Sequence, residues 1–319
     1  MAVTQLRAVQ VGKEVVWGTP VAATAKLMAV TDASFQLNQT LDQPSFLGTL
    51  APGQEVALVT SDWSGNVTVA ATYEDLPYFF DGLLGIATPS GSGPYTYDYA
   101  GPTTAVPTAP RMFTVEYGAI GAEYNLAGGL ITGLNINIEQ GQAWRVSADF
   151  AGKVMTPSAL TALSERDTTL INTVDTALTI DPYAGTVGST VITATLIGAT
   201  VGLSSERHHK RFVGGITPDA WGEGQFSSTL TLTCEFNATS KAYVDAMLTA
   251  ASSKIVQLEA TSGTNVATID FTGYYDGGVT LFDDRDGNIT VTFNLVGQYD
   301  LTNTSWFDVS IDNSVASLA

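Results

Sequence analysis

The residues best suited to metal binding or proton transfer are the two histidines of the chain, His208 and His209. They lie in its only dense basic run, Glu206-Arg207-His208-His209-Lys210-Arg211. Neighbouring side chains of an extended strand point to opposite faces, so adjacent histidines make a poor ligand pair, and no third ligand is close in sequence. A charged loop that reaches a neighbouring acidic surface fits this run better than a catalytic or metal site, and a solvated loop fits it equally well.

A second acidic stretch, Asp283-Asp284-Arg285-Asp286-Gly287-Asn288, has the composition of a calcium-binding loop but not its spacing. Counted back from Gly287, Phe282 stands where the first carboxylate ligand belongs, and no Glu occupies the twelfth position. An Asp-Gly pair between two strands is typical of a hairpin turn, which is the structure we predict here.

Motifs for catalysis or nucleotide binding are missing from the sequence. It contains no Gly-x-Ser-x-Gly elbow, no phosphate-binding loop with a terminal Gly-Lys-Ser/Thr and no dinucleotide fingerprint. The single cysteine, Cys234, excludes an intrachain disulfide and a cysteine metal cluster. We therefore predict a protein that is not an enzyme and that uses no cofactor or metal.

Composition indicates an ordered, strand-rich protein. The chain has 319 residues, of which 45% are hydrophobic and 14% charged, and this length suffices for two domains. Thirteen basic against 31 acidic residues give a net charge of −18, which argues against a surface that grips nucleic acid. The N-terminal residues resemble no secretion signal and no apolar run is long enough to span a bilayer, so we expect synthesis in the cytoplasm and no membrane anchor.

The sequence contains an internal repeat. Phe46-Leu47-Gly48-Thr49-Leu50-Ala51-Pro52 matches Phe212-Val213-Gly214-Gly215-Ile216-Thr217-Pro218, a shift of 166 residues that also brings Phe35 and Leu37 onto Val201 and Leu203. Alternating runs that begin at Val67 and Leu230 follow, each succeeded by a stretch with helical spacing and, later, by an alternating run that ends near Gly152 or Gly297.

These patterns predict a mainly β protein with two tandem β-sandwich or half-barrel domains, each with one flanking α-helix. We place the domains at residues 1–160 and 161–319, with the boundary in the polar stretch 155–175 and a surface loop or small excursion at about 88–111 in the first copy. The alternative is two unrelated β-domains whose similarity is accidental.

The N-terminal segment carries the most specific resemblance to a known family. Val11-Gly12-Lys13-Glu14-Val15-Val16-Trp17-Gly18-Thr19-Pro20-Val21-Ala22 resembles the G-K-E-x-x-W/Y-G-T-x-V/A start of tail tube (major tail) proteins of long-tailed, siphovirus-type phages. The order of strand, helix and hairpin, with the turn Leu83-Leu84-Gly85 after the first helix, is also similar to that family and extends the likeness over essentially the whole chain.

The resemblance implies a structural protein of the virion tail. Strands of each domain would line a ring as a continuous inner β-barrel, and stacked rings would form the tube through which viral DNA passes without specific binding. Single-domain members form hexameric rings, so a duplicated chain implies a homotrimer with pseudo-sixfold symmetry, with a hexamer as the alternative. Other tail proteins, such as a tape measure and a tail terminator, are the implied partners.

Under this interpretation, two loops are expected to contact the next ring: residues 38–48 and 206–214, the second of which contains the basic run 206–211. Deletion of the second loop should then leave rings that do not polymerise.

The competing interpretation is a two-domain binding module or another virion structural protein, such as a baseplate, neck or surface adhesin component. Its main support is the alternating cluster Tyr95, Tyr97 and Tyr99, because alternate residues of an extended run share a face. The same cluster also fits a strand that packs its tyrosines on the domain.

Overall fold

The computed structural model describes residues 6–50, 52–53, 55–103, 108–119, 121–193, 195–249, 253–285 and 287–319. The helices are α1 (Leu76–Leu83) and α2 (Ala238–Thr249), and a short 3-10 helix spans Thr173–Asp175. The strands are β1 (Ala8–Glu14), β2 (Ala25–Lys26), β3 (Val30–Asp42), β4 (Ala57–Ala70), β5 (Tyr95–Ala100), β6 (Met112–Ala119), β7 (Ala122–Glu139), β8 (Arg145–Gly152), β9 (Val154–Pro157), β10 (Thr176–Pro182), β11 (Val191–Ile192), β12 (Leu196–Ser204), β13 (His208–Lys210), β14 (Ala220–Gly222), β15 (Ser227–Glu235), β16 (Ser253–Ser262), β17 (Asn265–Arg285), β18 (Asn288–Gly297) and β19 (Phe307–Asn313). The prediction of a mainly β fold is confirmed.

Strand pairing repeats along the chain. Six antiparallel strand pairs of the first part of the chain have equivalents in the second part. The first set is β1·β2, β1·β6, β3·β4, β4·β8, β6·β7 and β7·β8. Their equivalents, in the same order, are β10·β11, β10·β16, β12·β15, β15·β18, β16·β17 and β17·β18. Helix α1 follows β4, and α2 follows β15 in the same place. We call residues 8–152 the first repeat and 176–297 the second. The domain boundary near residue 160 stays a prediction.

Each repeat is a sandwich whose two sheets share one long strand. β7 pairs with β6 and β9 along its first half and with β8 along its second, and β17 is divided in the same way. The register shifts between Ile131 and Gly133, and again between Tyr275 and Val279, where these strands pass from one sheet to the other. Irregularities of this kind bend a strand, so β7 and β17 form the corners of the two sandwiches.

One antiparallel sheet runs through both repeats in the order β3-β4-β8-β7-β12-β15-β18-β17. Its inner face is apolar, because alternate residues such as Val67, Val146, Ile136, Val201 and Leu232 are at most 1% exposed. Burial of one face fixes the register, since a slip of one residue would expose every apolar side chain of a strand. This sheet, called the main sheet below, positions the surfaces considered next.

Helix α1 is enclosed by the fold, with every residue from Leu76 to Leu83 buried. It packs on β7, and a Cβ on Gly82 would lie 2.6 Å from Ile131 Cδ1, so a larger residue there would force the helix off the sheet. Neither α-helix in the described part of the chain is long and apolar enough to cross a membrane.

The excursion predicted at 88–111 contains strand β5, and residues 104–107 of it lie outside the described residues. β5 pairs with β19 near the C-terminus, so this segment joins a sheet instead of forming only a surface loop. Tyr97 and Tyr99 are buried. The Tyr97 hydroxyl donates to Val315 O at 2.8 Å, and the Tyr99 hydroxyl donates to Asp81 Oδ1 at 3.0 Å. These two tyrosines pack on the fold, so the binding-module interpretation loses its main feature.

The pairing of β17 with β19 creates a testable dependence of stability on pH. Asp270 lies directly opposite Asp308, and burial raises the pKa of Asp270 to about 6, with contributions from Asp308 and Glu259. Gln257 Nε2 donates to Asp270 Oδ1 at 2.8 Å, which opposes the rise. Because the folded state holds this proton more tightly than the unfolded chain, ionised Asp270 costs stability above pH 6, and the cost disappears as the pH falls to about 4.

We therefore expect Asp270→Asn to raise the free energy of unfolding at pH 8 by roughly 1–3 kcal/mol and to leave it almost unchanged near pH 4. Urea unfolding at pH 4, 6 and 8 measures the difference. Asp98→Asn, at an exposed position of β5, is the matched control and should show no such trend. A variant that is equally destabilised at all three pH values would show that the carboxylate is needed for its hydrogen bonds.

Candidate assembly surfaces

The outer face of the main sheet is lined by small polar side chains that bond across strands. Asn66 Nδ2 donates to Asp149 Oδ1 at 2.7 Å, and Thr231 Oγ1 donates to Asn294 Oδ1 at 3.0 Å. Similar bonds join β3 to β4 and β12 to β7. Such pairs hold short side chains flat against the strands, so this face, called the polar face below, is an ordered hydroxyl and amide surface.

Charged groups on the polar face are mainly acidic. By alternation along the strands, the side chains on this face include the acids Asp32, Asp62, Glu139, Asp149, Glu235 and Asp283 and the bases Arg145 and Arg285, of which Arg285 is paired with Glu139. A polyanion that approached the face would meet weak repulsion and few donors that could hold its phosphates.

The main sheet ends in two strands that have an open edge. Within the described residues, β3 pairs along its length with β4 only, and β17 beyond Val279 pairs with β18 only. Apolar side chains lie exposed at both edges: Leu37 is 47% exposed and Leu41 61% on β3, and Leu281 is 41% exposed on β17. Open edges with exposed apolar residues are templates for pairing with another chain.

Inside the chain, one strand pair shows how such edges meet. β7 of the first repeat pairs with β12 of the second over seven residue pairs, from Gly133 with Ser204 to Glu139 with Gly198. The counterparts of these strands are β17 and β3, which are the two strands that end the sheet. The joint between the repeats is therefore complete within the chain, while the equivalent joint at its ends is open.

Two hairpin tips project from the same end of the main sheet. The first is the connection between β3 and β4, and the second connects β13 to β14. Ser61 N donates to Ile216 O at 2.9 Å, so the two hairpins touch. Both tips expose equivalent apolar side chains. In the first tip, Phe46, Leu47 and Leu50 are 44%, 104% and 107% exposed. In the second tip, Phe212, Val213 and Ile216 are 66%, 109% and 47% exposed.

Arg207 departs from the surface role expected for the basic run, because its side chain is fully buried. Its guanidinium donates to the carbonyls of Gly82 at 2.8 Å and Leu83 at 2.6 Å, at the C-terminus of α1, and to Ile131 O at 2.8 Å. It also forms an ion pair with Glu223, whose Oε1 lies 2.8 Å from Nη2. Burial lowers the pKa of Arg207, and the Glu223 carboxylate opposes that shift.

This arrangement makes Arg207 the C-terminal cap of a helix in the other repeat. The last carbonyls of a helix lack intrahelical donors, and α1 has no basic residue in its own last turn. A residue of the second repeat thus completes a helix of the first. Deletion of 206–214 would remove this interior group, so a test of loop contacts must be confined to the tip.

The remaining residues of the basic run divide into two groups. Arg211 forms an ion pair with Asp62, and His209 Nδ1 lies 3.7 Å from the same carboxylate. Burial lowers the pKa of His209, while Asp62 opposes the shift. Glu206, His208 and Lys210 are exposed. For these exposed residues, contact with a neighbouring ring stays a prediction.

The acidic stretch 283–288 spans the end of β17 at Arg285 and the start of β18 at Asn288, two strands that pair antiparallel as the Asp-Gly pair predicts, and Asp286 lies outside the described residues. Gly287 adopts φ +80°, a conformation that favours glycine, and Asp284 Oδ1 accepts a hydrogen bond from Gly287 N at 2.9 Å. Across the described ranges, no group of three or more His, Cys, Asp or Glu residues is placed to hold a metal ion.

The N-terminal motif forms a compact turn beside the second hairpin. The buried Glu14 carboxylate accepts bonds from Gly18 N at 2.7 Å, Gly128 N at 2.8 Å and Thr114 Oγ1 at 2.7 Å, and burial raises its pKa. The ring of Trp17 lies 6.1 Å from that of His209.

Asp62 and Glu223, the acidic partners of the basic run, were not predicted, because Asp62 is distant in sequence and neither belongs to a motif.

Comparison with known proteins gives one family match. The model of a family described as phage tail tube protein matches residues 4–297. No curated protein matches the chain.

Proposed function

The chain belongs to the phage tail tube protein family and is a structural component of the viral tail, and we propose that it closes into rings through the free edges of β3 and β17. The family assembles into a tube with other tail proteins. In our proposal, the rings stack through the hairpin tips, and the polar face lines the channel that conducts the genome. A tape measure protein and a tail terminator, implied by the family resemblance, stay predicted partners.

The observation that carries this proposal is the β7·β12 joint. It pairs an end strand of one repeat with an end strand of the other, and the two strands left open, β17 and β3, are the equivalents of β7 and β12. Repetition of the same joint between chains would pair both open edges and bury Leu37 and Leu281. A heterologous contact of this kind generates a ring when the rotation between successive units closes.

Two repeats per chain favour a ring of three chains. If the joint between chains copies the joint within the chain, all units are related by nearly the same rotation, and three chains supply six units. A ring of six chains would require twelve units and a smaller rotation at each joint. We therefore propose a trimer with pseudo-sixfold symmetry, with the hexamer as the alternative.

Electron microscopy of the purified chain tests the assembly. We expect negative-stain class averages down the tube axis to show hollow rings, and native mass spectrometry of isolated rings to give three chains. A mass of six chains would be consistent with a tube but would refute the trimeric ring with pseudo-sixfold symmetry. A persistent monomer, even with tail-initiating components added, would contradict ring closure by this chain.

A second prediction concerns the channel. Asn137→Lys combined with Asn294→Lys adds two cations to the polar face of each chain. We expect tubes of this variant to retain short duplex DNA in co-sedimentation at 50 mM salt, with a loss of binding of roughly tenfold or more at 200 mM. Unmodified tubes should retain little DNA at either salt concentration.

Val191→Lys, on an exposed strand of the other sheet, serves as the control for added charge. Equal DNA retention by the control and the double variant would show that the polar face does not line the channel.

A further inference from the structure

An apolar recess lies at the end of the main sheet opposite the hairpin tips. It has a volume of about 360 Å³ and is lined by the apolar residues Ile138, Val174, Leu196 and Ile197 together with Gln140, Gly141, Thr173 and Thr176. Val174 is 86% exposed at its mouth. The recess is built by both repeats, because β7 supplies Ile138 and β12 supplies Leu196.

The recess and the tips are separated by the length of the main sheet. β12 begins at the recess with Leu196 and ends at Ser204, just before the second hairpin. Nine residues of extended strand span roughly 26 Å, and the hairpin lengthens this distance. A tip therefore cannot reach the recess of its own chain, whereas the tip of a copy stacked on the same axis approaches it end-on.

Charge distinguishes the two tips as possible occupants. The second tip, Phe212-Val213, has the exposed His208 and Lys210 nearby together with the exposed acids Glu206 and Asp219, whereas the described residues of the first tip include the acid Glu55 and no basic residue. The recess end carries the exposed acids Asp175, Glu235, Asp283 and Asp284, along with the bases Arg145 and Arg285, of which Arg285 is paired with Glu139. Lys210 beside the second tip can approach these acids, whereas the first tip offers no cation, and this difference favours the second tip and fixes the direction of stacking.

We propose that the recess formed by Ile138, Val174, Leu196 and Ile197 receives the Phe212-Val213 tip of a second copy of this chain in the next ring. The inference rests on the proposed function and names the acceptor that stacking requires. The contact is heterologous, because donor and acceptor are different surfaces at opposite ends, so it leaves one of each free and continues along an axis. The apolar side chains that the monomer exposes at both ends would then be buried.

Disulfide trapping tests the contact directly. The only native cysteine, Cys234, is buried, so a chain with Val174→Cys and Val213→Cys carries just two accessible thiols. Their separation within one chain far exceeds the Cα distance of about 4–7 Å that a disulfide requires. After assembly under reducing conditions and oxidation with diamide, we expect a ladder of covalent multimers on a non-reducing gel.

The matched control is Val191→Cys with Val213→Cys, which places the first thiol on an exposed apolar residue that does not line the recess. It should remain monomeric on the same gel. Tubes of the test variant that yield only monomer would overturn the recess inference and leave ring closure standing. A wild-type chain that forms neither rings nor tubes would overturn the proposed function and the recess inference together.

A substitution at the mouth gives an independent measurement. Val174→Arg places a bulky cation at the mouth of the recess, where the second tip and the nearby Lys210 should dock, and the exposure of Val174 means that the change removes little packing within the chain. We expect rings of unchanged mass by native mass spectrometry and at least a tenfold fall in pelleted tubes. Normal tube yield from Val174→Arg would overturn the proposal, and Val191→Arg should leave the yield unchanged.

Discussion

Arg207→Ala is expected to lower the free energy of unfolding by about 3–5 kcal/mol, the usual cost of removing one partner from a buried ion pair. The substitution leaves the Glu223 carboxylate without its cation and removes the donors to the carbonyls of Gly82, Leu83 and Ile131. These groups are enclosed by both repeats, so the loss should loosen α1 and the joint between the repeats together. Thermal and urea unfolding of the purified monomer measure the change.

Two further variants separate this role from simple loss of positive charge. Lys210→Ala removes a cation from the same hairpin at an exposed position and should change stability by no more than about 0.5 kcal/mol. Arg207→Lys retains the charge but cannot reach all the acceptors, so its stability should fall between those of Arg207→Ala and the wild type. Equal stability of Arg207→Ala and Lys210→Ala would contradict a capping role.

The sequence predicted the fold well where local patterns decide the structure. Alternation around Val146 in the first repeat and Val291 in the second reflects burial of one sheet face, so the strands and their inner faces follow from it. The repeated Phe-x-Gly motif marks two equivalent hairpin tips. Their shared exposure, however, follows only from the structure, because an apolar motif is equally compatible with burial.

Register within the repeat was less predictable, because a period of two permits slips of two residues. The sequence match places Val67 on Leu230. In the structure Val67 lies opposite Ala33, and Ala199, the match of Ala33 at a shift of 166 residues, lies opposite Leu232. Leu232 is therefore the better counterpart of Val67. A slip of two residues leaves the same faces buried, so alternation alone cannot detect it.

Contacts between distant segments were beyond the reach of sequence patterns. Arg207 looked like one member of a charged surface run, yet it is the most enclosed residue of that run. Its burial depends on acceptors contributed by α1, β7 and Glu223, which no local pattern connects. The pairing of β5 with β19 is a similar case, because it joins an excursion of the first repeat to the C-terminal strand.

The proposed seam and tips lie apart from the core, which is the arrangement expected of a chain that folds before it assembles. Its core is enclosed within the described residues, while the end strands and the tips keep apolar side chains exposed. The proposed assembly surfaces are thus separated from the residues that hold the fold. This separation predicts that one substitution can abolish assembly while the monomer stays folded, whereas the same substitution at the equivalent internal position should damage folding.

Leu37→Lys at the open edge is expected to abolish ring formation and to leave a folded monomer. Leu37 is 47% exposed in the chain, so a lysine there can extend its ammonium group into water at little cost. Its counterpart at the internal joint, Leu203, is 4% exposed and lies opposite Leu134. If ring closure copies this joint, closure would bury the lysine at a cost of several kcal/mol. A cost of about 4 kcal/mol corresponds to a thousandfold weaker association between chains.

Light scattering and unfolding measurements on three variants test this argument. Leu203→Lys, the same change at the internal joint, should instead lower the stability of the monomer by several kcal/mol, because the charge is buried as soon as the chain folds. Leu301→Lys, at a residue that is 79% exposed and remote from the edges, should assemble as the wild type does. Rings of normal mass from Leu37→Lys would show that the edge of β3 is not the seam between chains, and the internal joint would then cease to be a template for the ring.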